Sequence, residues 1–181
     1  MNEAIYVTEY GDVEKLEYKK FEMPEFGSKQ VLIRIAATSV NFADIKERIG
    51  KYHGAKKPPY IPGLDLAGTI EAIGSEVTSL KVGQRVIAFP DTGSYAKYTL
   101  AHEMLTFPIP DHLDFDTAAA CPTVSFTSYN LLVQCANIKE GDTVLIHAAA
   151  GGIGTTAIQL AKLLGAKTVI GTVGGDAKKA T

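Results

Sequence analysis

Residues 148–154, AAAGGIG, carry almost no side-chain bulk, and they join an apolar run, TVLIH, to a helical one, TTAIQLAKLLGAK. No other stretch constrains the fold as strongly. A strand over Thr143–His147, a small-residue turn, a helix over about Thr155–Leu164, the stop at Gly165 and a second strand over Lys167–Thr172 together make a β-α-β unit. Two strands joined through a helix pair in parallel.

The same turn suggests a chemistry. Its pattern is Ala148-x-x-Gly151-x-x-Gly154, which departs from G-x-G-x-x-G. Small residues there let backbone N–H groups approach a diphosphate, and the helix that follows points the positive end of its dipole at the same anion. The late glycine allows the helix to pack closely on the strand. A merely structural turn would use the same residues, but the flanking strand and helix favour a nucleotide. NAD-binding folds place an Asp or Glu about 20 residues further on, where it accepts the ribose 2′-hydroxyl. Here the second strand ends at Gly171 and Thr172 without a carboxylate, and Lys178 and Lys179 follow. Ammonium groups attract the 2′-phosphate that a carboxylate repels, so the pattern favours NADPH (NADP+). The alternative is that the lysines belong to a solvated helix start, the preferred reading for Lys179. Asp176 is then its cap, which leaves room for NAD.

Upstream the character differs. AIYVTEY, VLIRIAATSV, AGTIEAIG, QRVIAF and SYAKYTL read as short strands separated by turn formers, a pattern that suggests an antiparallel barrel or sandwich. One helix interrupts them. NFADIKERIG carries Phe42, Ile45 and Ile49 at helical spacing, with Asn41 as N-cap, Asp44 three residues on and Gly50 at the end. KKPPYIPG breaks regular structure. After residue 110 an Ala-rich stretch reads as helix, broken near Pro122.

Hydrophobic residues make up 46% and charged residues 21% of the 181, so a packed core is feasible. The net charge of −2 and the scattered charges give little support to a nucleic-acid surface, where a strongly basic patch is expected. No apolar run approaches the roughly 18 residues that span a bilayer. The opening MNEAIYVTEYGD has no signal-peptide pattern. With only two cysteines, Cys121 and Cys135, both read as small buried hydrophobes, a disulfide framework is excluded. A cytoplasmic location is expected.

Taken together, SVNFADIKERIGKY, PGLDLAGTIEAIG, GQRVIAF, GSYAKY and GDTVLIHAAAGGIGTTAIQLAKLLGAKTVIGTVG occur in an order that resembles the medium-chain dehydrogenase/reductase superfamily, in its zinc-free quinone oxidoreductase (zeta-crystallin-like) branch. The resemblance implies an α/β chain with a GroES-like, mostly antiparallel β-barrel domain over 1–122. The first β-α-β part of a Rossmann dinucleotide-binding domain follows over 123–181. It implies an NADPH-dependent transfer of hydride to a quinone or an activated double bond, enones and enoyl thioesters included. Zinc relatives carry Cys where this chain has Asn41, His where it has Leu64, and a third ligand near Thr123. The three residues present cannot complete a Cys/His site, so no metal is expected.

The resemblance places Asn41 and Tyr52 as catalytic residues around the nicotinamide and acceptor. Negative charge develops on the acceptor oxygen there, and Asn41 N–H or Tyr52 O–H could meet it. Asn41 as helix cap and Tyr52 as packing aromatic are the alternatives, and the two roles of Asn41 can coexist. Cofactor-binding residues are expected to be Asn41, Thr127, Ala149, Gly151, Gly152, Ile153, Gly154 and Lys178. Thr127 could instead bond its own helix. His147 reads as a packing residue, His53 as surface, and Asp44 and Asp65 as structural hydrogen-bond acceptors. The small-molecule partner is a quinone or enone, and the full-length protein is expected to be a homodimer. Family members continue through further strands and return to complete the first domain. The chain therefore reads as truncated, with weak NADPH binding and little turnover of its own. A non-catalytic NADPH-binding or structural protein of the same fold is the competing reading.

Overall fold

The structure is a computed structural model and describes residues 1–179. The chain divides into two units, one from Met1 to Pro122 and one from Thr123 onward.

In the first unit, β-branched residues alternate along β3 (Gln30–Thr38), which buries Val31 and Ile33 on one face, whereas β4 (Leu66–Ile73) buries Leu66, Ala67 and Gly68 in succession and then Ile70. These strands pair antiparallel, with register shifts after Leu32 and Ile35. They form the centre of a five-stranded sheet with β5 (Arg85–Ala88), β6 (Tyr98–His102) and β7 (Thr106–Pro108), in the order β6-β3-β4-β5-β7. Val31, Ile33, Leu66, Ile70 and Val86 lie on its inner face, all at 1% exposure or less. Burying each contributes about 1.5–3 kcal/mol. A hairpin of β1 (Asn2–Val7) and β2 (Leu16–Phe21) joins this body through Ile5 N–H to Tyr95 O (2.8 Å) and Val7 N–H to Tyr60 O (2.9 Å). The sheet is antiparallel throughout, as the alternating patterns implied; β2 and β7 carried no strand signal of their own.

The helix expected after Asn41 is α1 (Phe42–Arg48). Asn41 is its N-cap, and its N–H donates to Asp44 Oδ2 at 2.8 Å. Gly50 follows with φ +69°, the left-handed conformation that ends a helix. The Ala-rich stretch breaks as expected, into α2 (Phe115–Ala119) and α3 (Pro122–Tyr129). Asp114 caps α2 by accepting from Thr117 N–H at 2.8 Å, and Pro122 opens α3, where its missing N–H costs nothing. A π-helical turn, Asn130–Cys135, continues α3.

The second unit contains β8 (Thr143–Ile146), α4 (Gly152–Leu163) and β9 (Thr168–Gly171), with β8 and β9 paired in parallel. Ile146, Ala149, Ala157, Ala161 and Leu132 form its core, with Val144 and Val169 packed against it. The opposite sheet face presents Leu145 beside Ile170, 55% and 48% exposed. Of the two cysteines, Cys121 is half-buried and donates to Thr117 O, whereas Cys135 is exposed, against its reading as a buried hydrophobe.

Candidate functional site

The glycine turn and its helix do not divide where the sequence suggested. Helix α4 begins at Gly152, three residues earlier than expected, with Gly151 as N-cap. Gly152, Ile153 and Gly154 are therefore its first turn, and their N–H groups have no acceptor within the helix. Periodicity missed this because two of the three are glycines, which carry no pattern. Gly151, Gly152 and Ile153 are exposed, while Gly154 is buried. A Cβ on Gly154 would stand 2.5 Å from Ala148 O and 2.6 Å from Ala149 Cα, so only glycine lets α4 lie this close to the strand end. Ala148 itself takes φ +52°, a left-handed conformation that costs a non-glycine residue energy.

Strand ends and α3 brace the turn. Ala149 N–H donates to Thr172 O (2.9 Å), and Thr172 N–H donates to Ile146 O (2.9 Å). His147 Nδ1 bonds Thr172 Oγ1 at 3.0 Å and is exposed, so it links the ends of β8 and β9 rather than packing as expected. Ser128 Oγ donates to Ile153 O at 3.1 Å, which brings α3 against the turn. Thr127, its half-buried neighbour, makes no side-chain hydrogen bond back to its helix among the described residues.

Beyond the end of β9 lies a cavity of about 250 Å³ lined by Ala149, Ala150, Ile158, Val173, Lys178 and Lys179. Lys178 belongs to a short 3₁₀ turn, Asp176–Lys178. Gly175, not Asp176, is the N-cap of that turn. Asp176 instead pairs with Lys179 at 2.6 Å. Among the described residues Lys178 has no ion pair. The turn, the helix N-terminus and the cavity thus offer bare backbone donors, a partial positive charge and an ammonium group. That donor set fits a dinucleotide carrying phosphate groups.

In the first unit, Asn41 is half-buried at the start of α1. Its Nδ2 donates to Ser39 Oγ (2.9 Å) and Asp65 Oδ1 (3.1 Å), and Ser39 Oγ donates to the same Asp65 oxygen. Asp65 is 1% exposed. Asp44, 4% exposed, accepts from the Asn41 N–H and from Tyr95 O–H at 3.1 Å. Burial pushes the Asp44 carboxyl above its ordinary value, against the two hydrogen bonds that lower it. Burial raises the phenol of Tyr60 to about 12 and that of Tyr95 further still. Asp44 and Asp65 are thus hydrogen-bond acceptors, as expected of them. Tyr52 lies in the turn after α1, 48% exposed, and no hydrogen bond joins it to Asn41 among the described residues. A nearby groove of about 460 Å³ is lined by Ile5, Ile35, Ala37, Thr38, Val40 and Tyr95; Asn41 and Tyr52 are not part of its wall. Of the positions that hold zinc in metal-dependent relatives, Leu64 has no donor atom, and the Asn41 amide is engaged by Ser39 and Asp65. Among the described residues no group of three or more His, Cys, Asp or Glu is placed to hold a metal ion.

Residues 27–111 match the alcohol dehydrogenase GroES-like domain. The chain is 40% identical to the quinone oxidoreductase of Lama guanicoe over 96% of its own length and 53% of that protein's. It superposes on the human synaptic vesicle membrane protein VAT-1 homolog-like protein with a TM-score of 0.94 at 33% identity, covering 99% of this chain and 59% of that one. A mycobacterial protein solved in complex with NADPH gives a TM-score of 0.90 at 36% identity, over 99% of this chain and 55% of that one. A GroES-like antiparallel domain followed by a β-α-β unit with a glycine turn defines the medium-chain dehydrogenase/reductase class. The relatives and solved structures that the chain matches include quinone oxidoreductases. The chain spans about half the length of the relatives it matches.

Proposed function

We propose that this chain carries the cofactor-binding turn and the acceptor-side residues of an NADPH-dependent, zinc-independent oxidoreductase that reduces a quinone or an activated double bond. The observation that carries the reading is the first turn of α4, where exposed backbone donors stand at a helix N-terminus that only Gly154 allows so near the strand. When bound, NADPH supplies the hydride. Gly151, Gly152, Ile153 and Gly154 hold the diphosphate, with Ala149 and Thr127 beside it. Lys178 attracts the 2′-phosphate, for which Lys179 is less suited because Asp176 already pairs with it. Asn41 and Tyr52 serve the acceptor, and the lack of a ligand atom at Leu64 argues for chemistry without a metal Lewis acid.

The test is a fluorescence titration of the chain with NADPH and with NADH. NADPH should bind more tightly, and Lys178→Glu should abolish the preference. Equal binding of both by the unaltered chain would overturn the cofactor assignment. The competing reading is a non-catalytic protein of the same fold that retains the nucleotide site. Turnover of 1,4-quinones, enones or enoyl thioesters by the full-length protein separates the two.

A further inference from the structure

Helix α1 sits inverted with respect to its sequence pattern. Phe42 and Ile45, the apolar residues at helical spacing, are 72% and 42% exposed, while Asp44 and Glu47 on the inward face are 4% and 7% exposed. Burying a carboxylate costs free energy unless the group is paired or loses its charge. Glu47 Oε1 accepts from Lys56 N–H at 3.2 Å, and buried Asp65 accepts from Ser39 and Asn41. Asp44 is less well provided for. Its Oδ2 takes the Asn41 N–H and the Tyr95 O–H, but its Oδ1 is buried with no hydrogen-bond partner among the described residues. The titratable groups around it are Glu47 and Arg48 from α1, Tyr60 from the loop after α1, Asp65 from the approach to β4 and Tyr95 from the approach to β6. Only Arg48 among these is a cation. Its one ion pair among the described residues is with exposed Asp12, at 4.0 Å, rather than with Asp44.

We propose that α1 is a proton-sensitive element: a proton held on the Asp44 carboxyl seats the helix firmly, and loss of that proton loosens it. A proton needs no cavity, and it removes the charge that neither Arg48 nor a donor at Oδ1 compensates. Ionisation strengthens the hydrogen bonds from Asn41 and Tyr95. Burial outweighs them, with Asp65 and Glu47 adding to it, and so the carboxyl lies above its ordinary value. A raised carboxyl contributes its stability in full below the unfolded value of 3.8 and loses it as pH rises through the folded one. Loosening therefore accompanies rising pH. The same carboxyl holds the Asn41 N–H, so the start of α1 is coupled to the proton. The coupling bears on the acceptor through the role proposed above for Asn41; the device itself does not rest on that reading.

The experiment is amide hydrogen exchange of the full ¹⁵N-labelled chain between about pH 4 and 7, corrected for the intrinsic pH dependence of exchange. Protection of residues 46–49, whose N–H groups close the turns of α1, should fall about tenfold relative to that of Val31 and Ile33 in β3. Asp44→Asn keeps an acceptor oxygen for Asn41 and removes the titration, so its profile should be flat. Glu47→Gln should keep the slope. A flat or rising profile in the unaltered chain overturns the proposal, as does a slope that Asp44→Asn retains or that Glu47→Gln removes. Should Asp44→Asn fail to fold, the Asp44 carboxyl carbon, followed by ¹³C NMR in the unaltered chain, still decides. Its titration midpoint should lie above 3.8, and a midpoint at or below that value overturns the proposal.

Discussion

The two units treat their apolar surface differently. In the first, a five-stranded sheet has neighbours for β3 and β4 on both sides, and Ile33 and Leu66 are wholly buried. In the second, a two-stranded parallel sheet is covered by α4 on one face and leaves Leu145 and Ile170 side by side on the other. Parallel strands are ordinarily buried on both faces. Stability is therefore concentrated in the first unit, while the second devotes its tightest packing to the turn at Gly154. That contrast separates a residue's hydrophobicity from its contribution: Ile33 and Ile170 are the same side chain in strands of opposite circumstance.

Ile33→Ala should have the largest effect, a loss of about 2–5 kcal/mol in chemical denaturation of the first unit, since its cavity cannot collapse. A loss under about 1 kcal/mol would mean that this core is loose. Gly154→Val should destabilise the second unit by about 1–3 kcal/mol through overpacking against the Ala148 carbonyl, and should abolish NADPH binding. Hydrogen exchange of the β8 and α4 amides reads the first effect and cofactor fluorescence the second.

Lys178→Glu should weaken NADPH by about tenfold relative to NADH, roughly 1.4 kcal/mol at an exposed site. Leu145→Thr should change stability by less than about 0.5 kcal/mol, as for other exposed positions. A change as large as that of Ile33→Ala would show that the bare face is covered in solution.

The smallest effect is electrostatic. Hydrogen bonds from Lys97, then Tyr18, hold the Glu3 carboxyl down at about 2, below its ordinary 4.5. A depressed carboxylate contributes stability above its unfolded pKa and loses it as pH falls through the folded one. Denaturation midpoints should therefore fall between pH 4.5 and about 2, with a shallower fall in Glu3→Gln. Identical profiles would remove Glu3 from the account.

The strands with strict apolar alternation or β-branched runs, β1, β3, β4 and β5, could be read directly, and so could α1 from its cap residues. β2 could not, because LEYKKF is half exposed and largely polar and takes its place by pairing with β1. The glycine turn was legible as a turn but not as the first turn of a helix, since glycine has no side chain to mark a period. The cap of the 3₁₀ turn was misplaced for a similar reason: Gly175 takes the position, and Asp176 turns to Lys179. Asn41 was visible as a cap, but its second anchor was not. Asp65 lies 24 residues away, and only the antiparallel pairing of β3 with β4 brings Ser39 and Asp65 to the same end of the sheet.

The central claim, that the first turn of α4 receives a dinucleotide diphosphate, is tested most directly by amide NMR of the ¹⁵N-labelled chain titrated with NADPH. The account predicts that the largest shifts fall on the N–H groups of Gly152, Ile153 and Gly154, with smaller ones at Lys178. Saturable binding that leaves those three amides unmoved, or millimolar NADPH that perturbs none of them, would contradict it.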